Sequence, residues 1–129
     1  MKSGKIFWVL AIAVGVFFGV QQLQAADGLD VKAAQAMSEQ GALLLDVREP
    51  EEYSAVHVPN AKLIPLGELE SRLQEIASYK DKPIVVMCRS GRRSSRAVSL
   101  LKEAGYTQVS NVKGGITAWQ KDGLAVVRS

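Results

Sequence analysis

One cysteine, Cys88, stands in this chain, and Arg89, Arg92, Arg93 and Arg96 crowd in behind it. Cysteine reacts as its thiolate, and cationic or N–H-rich surroundings lower a thiol pKa from ~8.5 into the range ~3.5–7.5. Cys88 closes the apolar run Ile84–Met87, the loop Cys88-Arg89-Ser90-Gly91-Arg92-Arg93 follows, and an amphipathic stretch starts near Ser94. A short loop curled over a helix N-terminus points several backbone N–H groups at its centre and makes a cradle for an anion. Gly91 lets that loop turn tightly with no side chain in the way. The chemistry expected is nucleophilic attack by Cys88, with Arg89, Ser90, Gly91, Arg92, Arg93 and Ser94 binding an anionic substrate. The competing reading is an inert core thiol at the end of a strand. Four guanidinium groups packed around an inert thiol would carry a desolvation cost with no return, so the reactive reading is preferred.

The other candidates are weaker. His57 is the one histidine; it sits in a His-Val-Pro turn with no dyad signature and reads as structural. One Cys and one His do not make a protein-bound metal site, and no cofactor is implied. Asp46 and Arg48 read as a polar contact supporting the active face. Gly114-Gly115 lacks the Lys-Ser/Thr of a phosphate loop and reads as a tight turn into a helix. Trp119 reads as core, Arg96 as solvated or ligand-facing, and Glu49, Glu51 and Glu52 as a solvated helix face.

The elements that must position Cys88 follow from hydrophobic pattern and punctuation. Asp30 caps a helix over 31–40 that Gly41 ends. Ala42–Val47 is an apolar run broken by Asp46, the pattern of a buried parallel strand. A helical turn over 49–55 begins with Pro50 near its start. A short strand is expected at 62–64 and a helix over 66–77, with Leu69, Leu73 and Ile76 at i, i+4 and i+7. Pro83–Met87 is the clearest strand, followed by a helix over 94–104 with Ala97, Val98, Leu100 and Leu101 facing inward. A strand at 108–112 and a helix ending near Gln120 complete the series. Strands alternating with helices predict an α/β fold, a mostly parallel sheet flanked by helices on both faces.

Composition agrees with one globular domain: 129 residues, 47% hydrophobic and 22% charged. The net charge of +3 is unevenly spread. Past Lys2 and Lys5 the chain carries 14 basic and 13 acidic residues, and four of those bases are the arginines after Cys88. A concentrated positive spot suits a small anionic ligand, whereas nucleic acid calls for a broad basic face. Lys2, Lys5 and the 15 uncharged residues Ile6–Val20 read as an export signal, with cleavage after Ala25. The expected domains are therefore a signal peptide over 1–25 and a folded domain over 26–129, exported to the periplasm. The alternative is an uncleaved membrane anchor, although the run is shorter than the ~20 residues a spanning helix needs. With the signal cut, no stable membrane contact is expected.

Four segments resemble single-domain rhodaneses, the thiosulfate sulfurtransferases. Cys88-Arg89-Ser90-Gly91-Arg92-Arg93-Ser94 is similar to the family's active-site loop, and Asp46-Val47-Arg48 to the end of its first core strand. Glu52-Tyr53 through His57-Val58-Pro59-Asn60-Ala61 to Ile64-Pro65 resembles its "E-[FY]-x-x-G-H-I-P-G-A…I-P" stretch. Gly114-Gly115-Ile116-Thr117-Ala118-Trp119 matches its closing "G-G-x-x-x-W". The likeness covers roughly residues 28–127, with Val56 and Asn60 standing where the family commonly has glycine. It implies a rhodanese-like fold and a ping-pong sulfur transfer from a small anionic donor to a thiophilic acceptor through a persulfide on Cys88. The backbone of residues 89–93 would hold the persulfide, and Arg89, Arg92 or Arg93 the sulfonate end.

Other functions fit less well. Phosphatases and arsenate reductases share a Cys-x5-Arg loop, but here Arg93 lies five positions after Cys88 and Ser94 six. A non-catalytic sulfur carrier or docking domain fed by a partner protein would need the same thiol and stays open at this point. A disulfide oxidoreductase would need a resolving cysteine that the chain lacks.

Overall fold

The structure is a computed structural model that describes residues 28–129. The export segment, its cleavage point and the domain boundary at residue 26 lie outside the described residues. Among those described, no helix is long and apolar enough to cross a membrane.

Asp30 accepts a hydrogen bond from the Ala33 N–H at 2.8 Å and starts helix α1, Val31–Glu39. Such a cap contributes about 1 kcal/mol. Strand β1, Leu43–Asp46, leads through Glu49 into α2, Pro50–Ala55. Two short strands follow, β2 at Val56–His57 and β3 at Lys62–Leu63. Two 3-10 segments, Leu66–Glu68 and Glu70–Tyr79, cross back to β4, Ile84–Met87. Helix α3 is Arg92–Glu103, β5 Val109–Asn111, α4 Gly115–Lys121 and β6 Val127–Arg128.

Four strands form a parallel sheet in the order β3-β1-β4-β5, with Leu43 opposite Ile84 and Asp46 opposite Met87 at its centre. A separate antiparallel ribbon pairs β2 with β6. The alternation of β4 divides the core in two. Ile84 and Val86 pack with Leu45, Leu69, Ile76, Ala97 and Leu101, under α3 and the 3-10 segments. Val85 and Met87 pack with Leu44, Val31, Ala34, Ile116 and Trp119, under α1 and α4. A strand covered on both faces has no solvent side, which is why Ile84–Met87 is apolar at every position. The fold is therefore α/β, a mostly parallel sheet with helices on both faces.

Two expectations are corrected. Residues 66–77 do not form one α-helix: the backbone is 3-10 and leaves helical geometry at Arg72 (φ −119°) and Ile76 (φ −122°). Leu69 and Ile76 are nonetheless buried and Leu73 partly so, because apolar spacing sets which side chains turn inward and not how tightly the backbone is wound. Helix α3 begins at Arg92, two residues ahead of the expected start, because Gly91 adopts a left-handed φ of 111° and takes the N-cap position itself.

Candidate active site

β4 delivers Cys88 to the C-terminal edge of the sheet, where α3 starts. This is the edge at which open parallel sheets place ligands. The Gly91 N–H donates to Cys88 Sγ at 3.1 Å, and the Ser94 hydroxyl lies 3.3 Å from the same sulfur. Cys88 is 1% exposed, so these contacts form away from bulk water and act at full strength. Burial pushes the thiol pKa up; the Ser94 hydroxyl and the backbone N–H groups of Ser94, Gly91 and Ser90 pull it down by more, leaving it below its ordinary value. The loop therefore favours the nucleophilic form.

Behind the loop, α4 supplies support. The Ile116 N–H donates to the Cys88 carbonyl at 2.9 Å and the Thr117 N–H to the Arg89 carbonyl at 3.1 Å. Gly115 makes this approach possible: with φ at 55°, a Cβ there would lie 2.3 Å from the Cys88 carbonyl oxygen. The glycine pair is a tight turn into a helix, and its second member also makes room for the loop. Trp119 on the same helix is buried and donates its indole N–H to the Ala125 carbonyl at 3.0 Å.

The residues named from sequence separate into groups. Gly91 and Ser94 are buried at the sulfur, while Arg89, Ser90, Arg92 and Arg96 are exposed around it. Arg93 has a partner within the protein. Its two terminal nitrogens bind the Glu52 carboxylate at 2.6 and 2.9 Å, so it ties α3 to α2. Glu52 correspondingly is only partly solvated. Its hydrogen bonds with Arg93 outweigh the cost of burial, and its pKa falls to about 2.

Asp46 and Arg48 form a buried ion pair, with Arg48 Nη2 on Asp46 Oδ2 at 2.8 Å. Arg48 Nε reaches both carboxylate oxygens at 3.0 and 3.1 Å. The rest of the guanidinium donates to the Glu52 carbonyl at 3.3 Å and the Val56 carbonyl at 2.7 Å. The pair thus anchors α2 and β2 to the end of β1. His57 stacks on the Tyr53 ring at 4.0 Å and holds the Tyr53 carbonyl through Nδ1 at 2.9 Å. Asn60, at a family glycine position, has φ 68°, and asparagine is among the few residues that tolerate that region.

Asn111, at the end of β5, was not singled out from sequence. Its Oδ1 accepts from the Ser94 hydroxyl, and its Nδ2 donates to Ser95 Oγ at 3.1 Å and to the Gly91 carbonyl at 3.4 Å. Nothing local marked it, since Gln108 and Ser110 beside it are polar too.

Comparison with known proteins gives the family. The rhodanese-like domain model matches residues 30–122. A sulfurtransferase of Allochromatium vinosum is 41% identical over 85 residues, 66% of this chain and 78% of that one. The thiosulfate sulfurtransferase GlpE of Pseudomonas syringae is 36% identical over 87 residues, 67% of this chain and 80% of that one. Some relatives are much longer: the chain spans 23% of the adenylyltransferase and sulfurtransferase uba4 of Ogataea parapolymorpha, 38% identical over 91 residues and 70% of this chain. Among solved structures, the rhodanese-like domain of the Anabaena protein Alr3790 superposes with a TM-score of 0.71 at 29% identity, covering 80% of each chain. The matched family model spans most of the chain and the relatives include sulfurtransferases, so the chain belongs to the rhodanese-like domain family of sulfurtransferases.

Proposed function

We propose that the protein transfers sulfane sulfur from thiosulfate, or from a persulfide, to a thiophilic acceptor through a persulfide on Cys88. The observation that carries this reading is the cradle itself: Cys88 Sγ faces the Gly91 N–H and the Ser94 hydroxyl at the start of α3. Donors aimed at sulfur stabilise the thiolate before attack and would hold the charged outer sulfur afterwards. In the first half-reaction the Cys88 thiolate attacks the outer sulfur of thiosulfate. A new S–S bond forms, the bond to the sulfonate sulfur breaks, and sulfite leaves with its electron pair. In the second, cyanide or a thiolate takes the outer sulfur and the Cys88 thiolate returns. Arg89 and Arg92 are exposed beside the loop and suit the sulfonate end; Arg93 is already engaged by Glu52. Little of the thiol is open to solvent, which suits a small sulfur donor better than a bulky acyl group.

Intact-mass measurement after adding thiosulfate tests the reading. The expected result is the gain of one sulfur atom on the wild type with release of sulfite, reversal by cyanide, and no gain on Cys88→Ser. A thiol that alkylates near neutral pH yet takes no sulfur from thiosulfate would point to a carrier loaded by a partner protein. We also place the activity in the periplasm, on the strength of Lys2, Lys5 and the uncharged run Ile6–Val20; finding the protein in the cytoplasmic fraction of cells would overturn that.

A further inference from the structure

The Ser94 hydroxyl has one proton and two acceptors. Cys88 Sγ lies 3.3 Å away on one side, and Asn111 Oδ1 is in close contact on the other. A hydroxyl donates only one hydrogen bond at a time. With Cys88 as a neutral thiol all three groups are served: the S–H points at Ser94 Oγ and the Ser94 proton points at Asn111. With Cys88 as a thiolate the sulfur has no proton of its own and draws on that of Ser94. Asn111 Oδ1 then loses its donor and faces the oxygen of Ser94. Turning the amide over would aim Oδ1 at the Gly91 carbonyl in place of a donor and would draw the Ser95 hydroxyl off that carbonyl, to which it donates at 2.8 Å. Leaving a part-buried acceptor without a donor is unfavourable.

We propose that Asn111 is a positioning residue that competes with the Cys88 thiolate for the Ser94 proton and so sets how readily the nucleophile forms. The competition changes through the reaction cycle. In the persulfide the negative charge moves to the outer sulfur, Sγ becomes a neutral divalent atom and a poor acceptor, and the Ser94 proton returns to Asn111. The outer sulfur is then left to the backbone N–H groups, with one fewer donor opposing its departure to the acceptor. This inference rests on Cys88 working as a thiolate and is independent of which sulfur donor is used.

The charged groups on the elements around the loop are Arg89 in the loop, Arg92 and Arg93 on α3, Glu49 and Glu52 around α2, the Asp46–Arg48 pair at the end of β1, and Lys113 past β5, with Arg93 interacting electrostatically with the thiol. An Asn111→Leu substitution leaves all of them in place and removes the competing carbonyl at nearly constant size. Cys88 is the one cysteine, so thiolate ultraviolet absorbance against pH reports on it alone. Asn111→Leu is expected to lower the titration midpoint and raise the thiolate fraction several-fold at a pH just below the wild-type midpoint. Ser94→Ala should raise the midpoint. The double variant should match Ser94→Ala, because Asn111 acts only through Ser94. If Asn111 merely braced the loop, its loss would raise the midpoint, or its effect would persist without Ser94, and either result overturns the proposal.

Should Asn111→Leu fail to fold, the wild-type side-chain amide of Asn111 carries the test by NMR. Its resonances are expected to move with the Cys88 titration, and resonances that stay flat through it overturn the proposal. A wild-type thiol that stays protonated throughout the neutral range would sink both this inference and the proposed function. A wild-type thiolate with an unmoved Asn111→Leu midpoint would sink this inference alone.

Discussion

Helices α3 and α4 start at the same edge of the sheet, each behind a glycine with positive φ, 111° at Gly91 and 76° at Gly114, and neither has a side-chain cap. Their first turns meet different partners. The N–H groups at the head of α3 converge on the Cys88 sulfur, so a reacting atom completes that terminus. Those of α4 are taken up by the Cys88 and Arg89 carbonyls, so its terminus is closed by the protein itself. One helix start offers hydrogen bonds to chemistry and the other uses the same physics to hold the first in place. An uncapped, glycine-led helix end is thus not by itself a binding site; what the chain places opposite decides its use.

The largest break in this comparison comes from removing the atom at the open terminus. Cys88→Ser should abolish thiocyanate formation from thiosulfate and cyanide while the fold, followed by circular dichroism, survives. Next is Gly115→Ala at the closed terminus. It must adopt a φ of 55° and drive a methyl group against the Cys88 carbonyl, a combined strain and overpacking cost of about 2–4 kcal/mol. Urea unfolding should show that loss, and transfer should fall with it because the loop shifts. Gly91→Ala sharpens the contrast. Its φ is also positive, but the nearest atom to its Cβ is Asn111 Nδ2 at 3.5 Å, so only the backbone strain of roughly 1–2 kcal/mol applies. Equal losses from the two alanines would mean that backbone strain alone matters and the close approach to Cys88 does not.

A smaller effect is expected from Glu52→Gln, which cuts the tie between α2 and the head of α3. The Glu52 pKa is lowered from 4.5 to about 2 by Arg93, so the pair stabilises the fold fully above the ordinary carboxylate value and stops doing so as pH falls through that interval. Both side chains remain about a third exposed, which limits the pair to roughly 0.5–1 kcal/mol. Wild type should exceed Glu52→Gln in urea midpoint at neutral pH, and the two should converge in strong acid. A gap that persists in acid would show that Glu52 acts through something other than its charge. Arg72→Ala sits at the bottom of the scale. Arg72 bridges Glu68 and Glu75 on an open surface, and its loss should leave transfer unchanged and move the midpoint least.

What could be read from sequence was what is encoded locally. Asp30 before Val31, the unbroken apolar run Ile84–Met87, and Cys88 followed by Gly91 and Ser94 each announce a structure within a few residues of themselves. The Arg93–Glu52 pair was not legible because Glu52 lies 41 positions earlier, and no local pattern records such a meeting. Asn111 was missed for the same reason: Ser94 is 17 positions away, and only the pairing of β4 with β5 brings the two together. β2 and β6 are two residues each, too short to show any period. At residues 66–77 the spacing of Leu69, Leu73 and Ile76 correctly marked what turns inward, but an α-helix and a run of 3-10 turns can bury the same seven-residue interval.

The sheet's two rims bear on how the protein behaves at high concentration. Unpaired strand edges invite a second chain to add on, and proteins blunt them with short strands, lysines and covering segments. β3, at one rim, is two residues long and contains Lys62. At the other rim β5 is three residues long, and Leu29 lies along it, its N–H on the Asn111 carbonyl at 2.8 Å and its carbonyl accepting from the Lys113 N–H at 2.7 Å. The stretch just ahead of α1 therefore seals part of that rim: it occupies the Asn111 carbonyl and the Lys113 N–H, two of the backbone groups through which a second chain could pair.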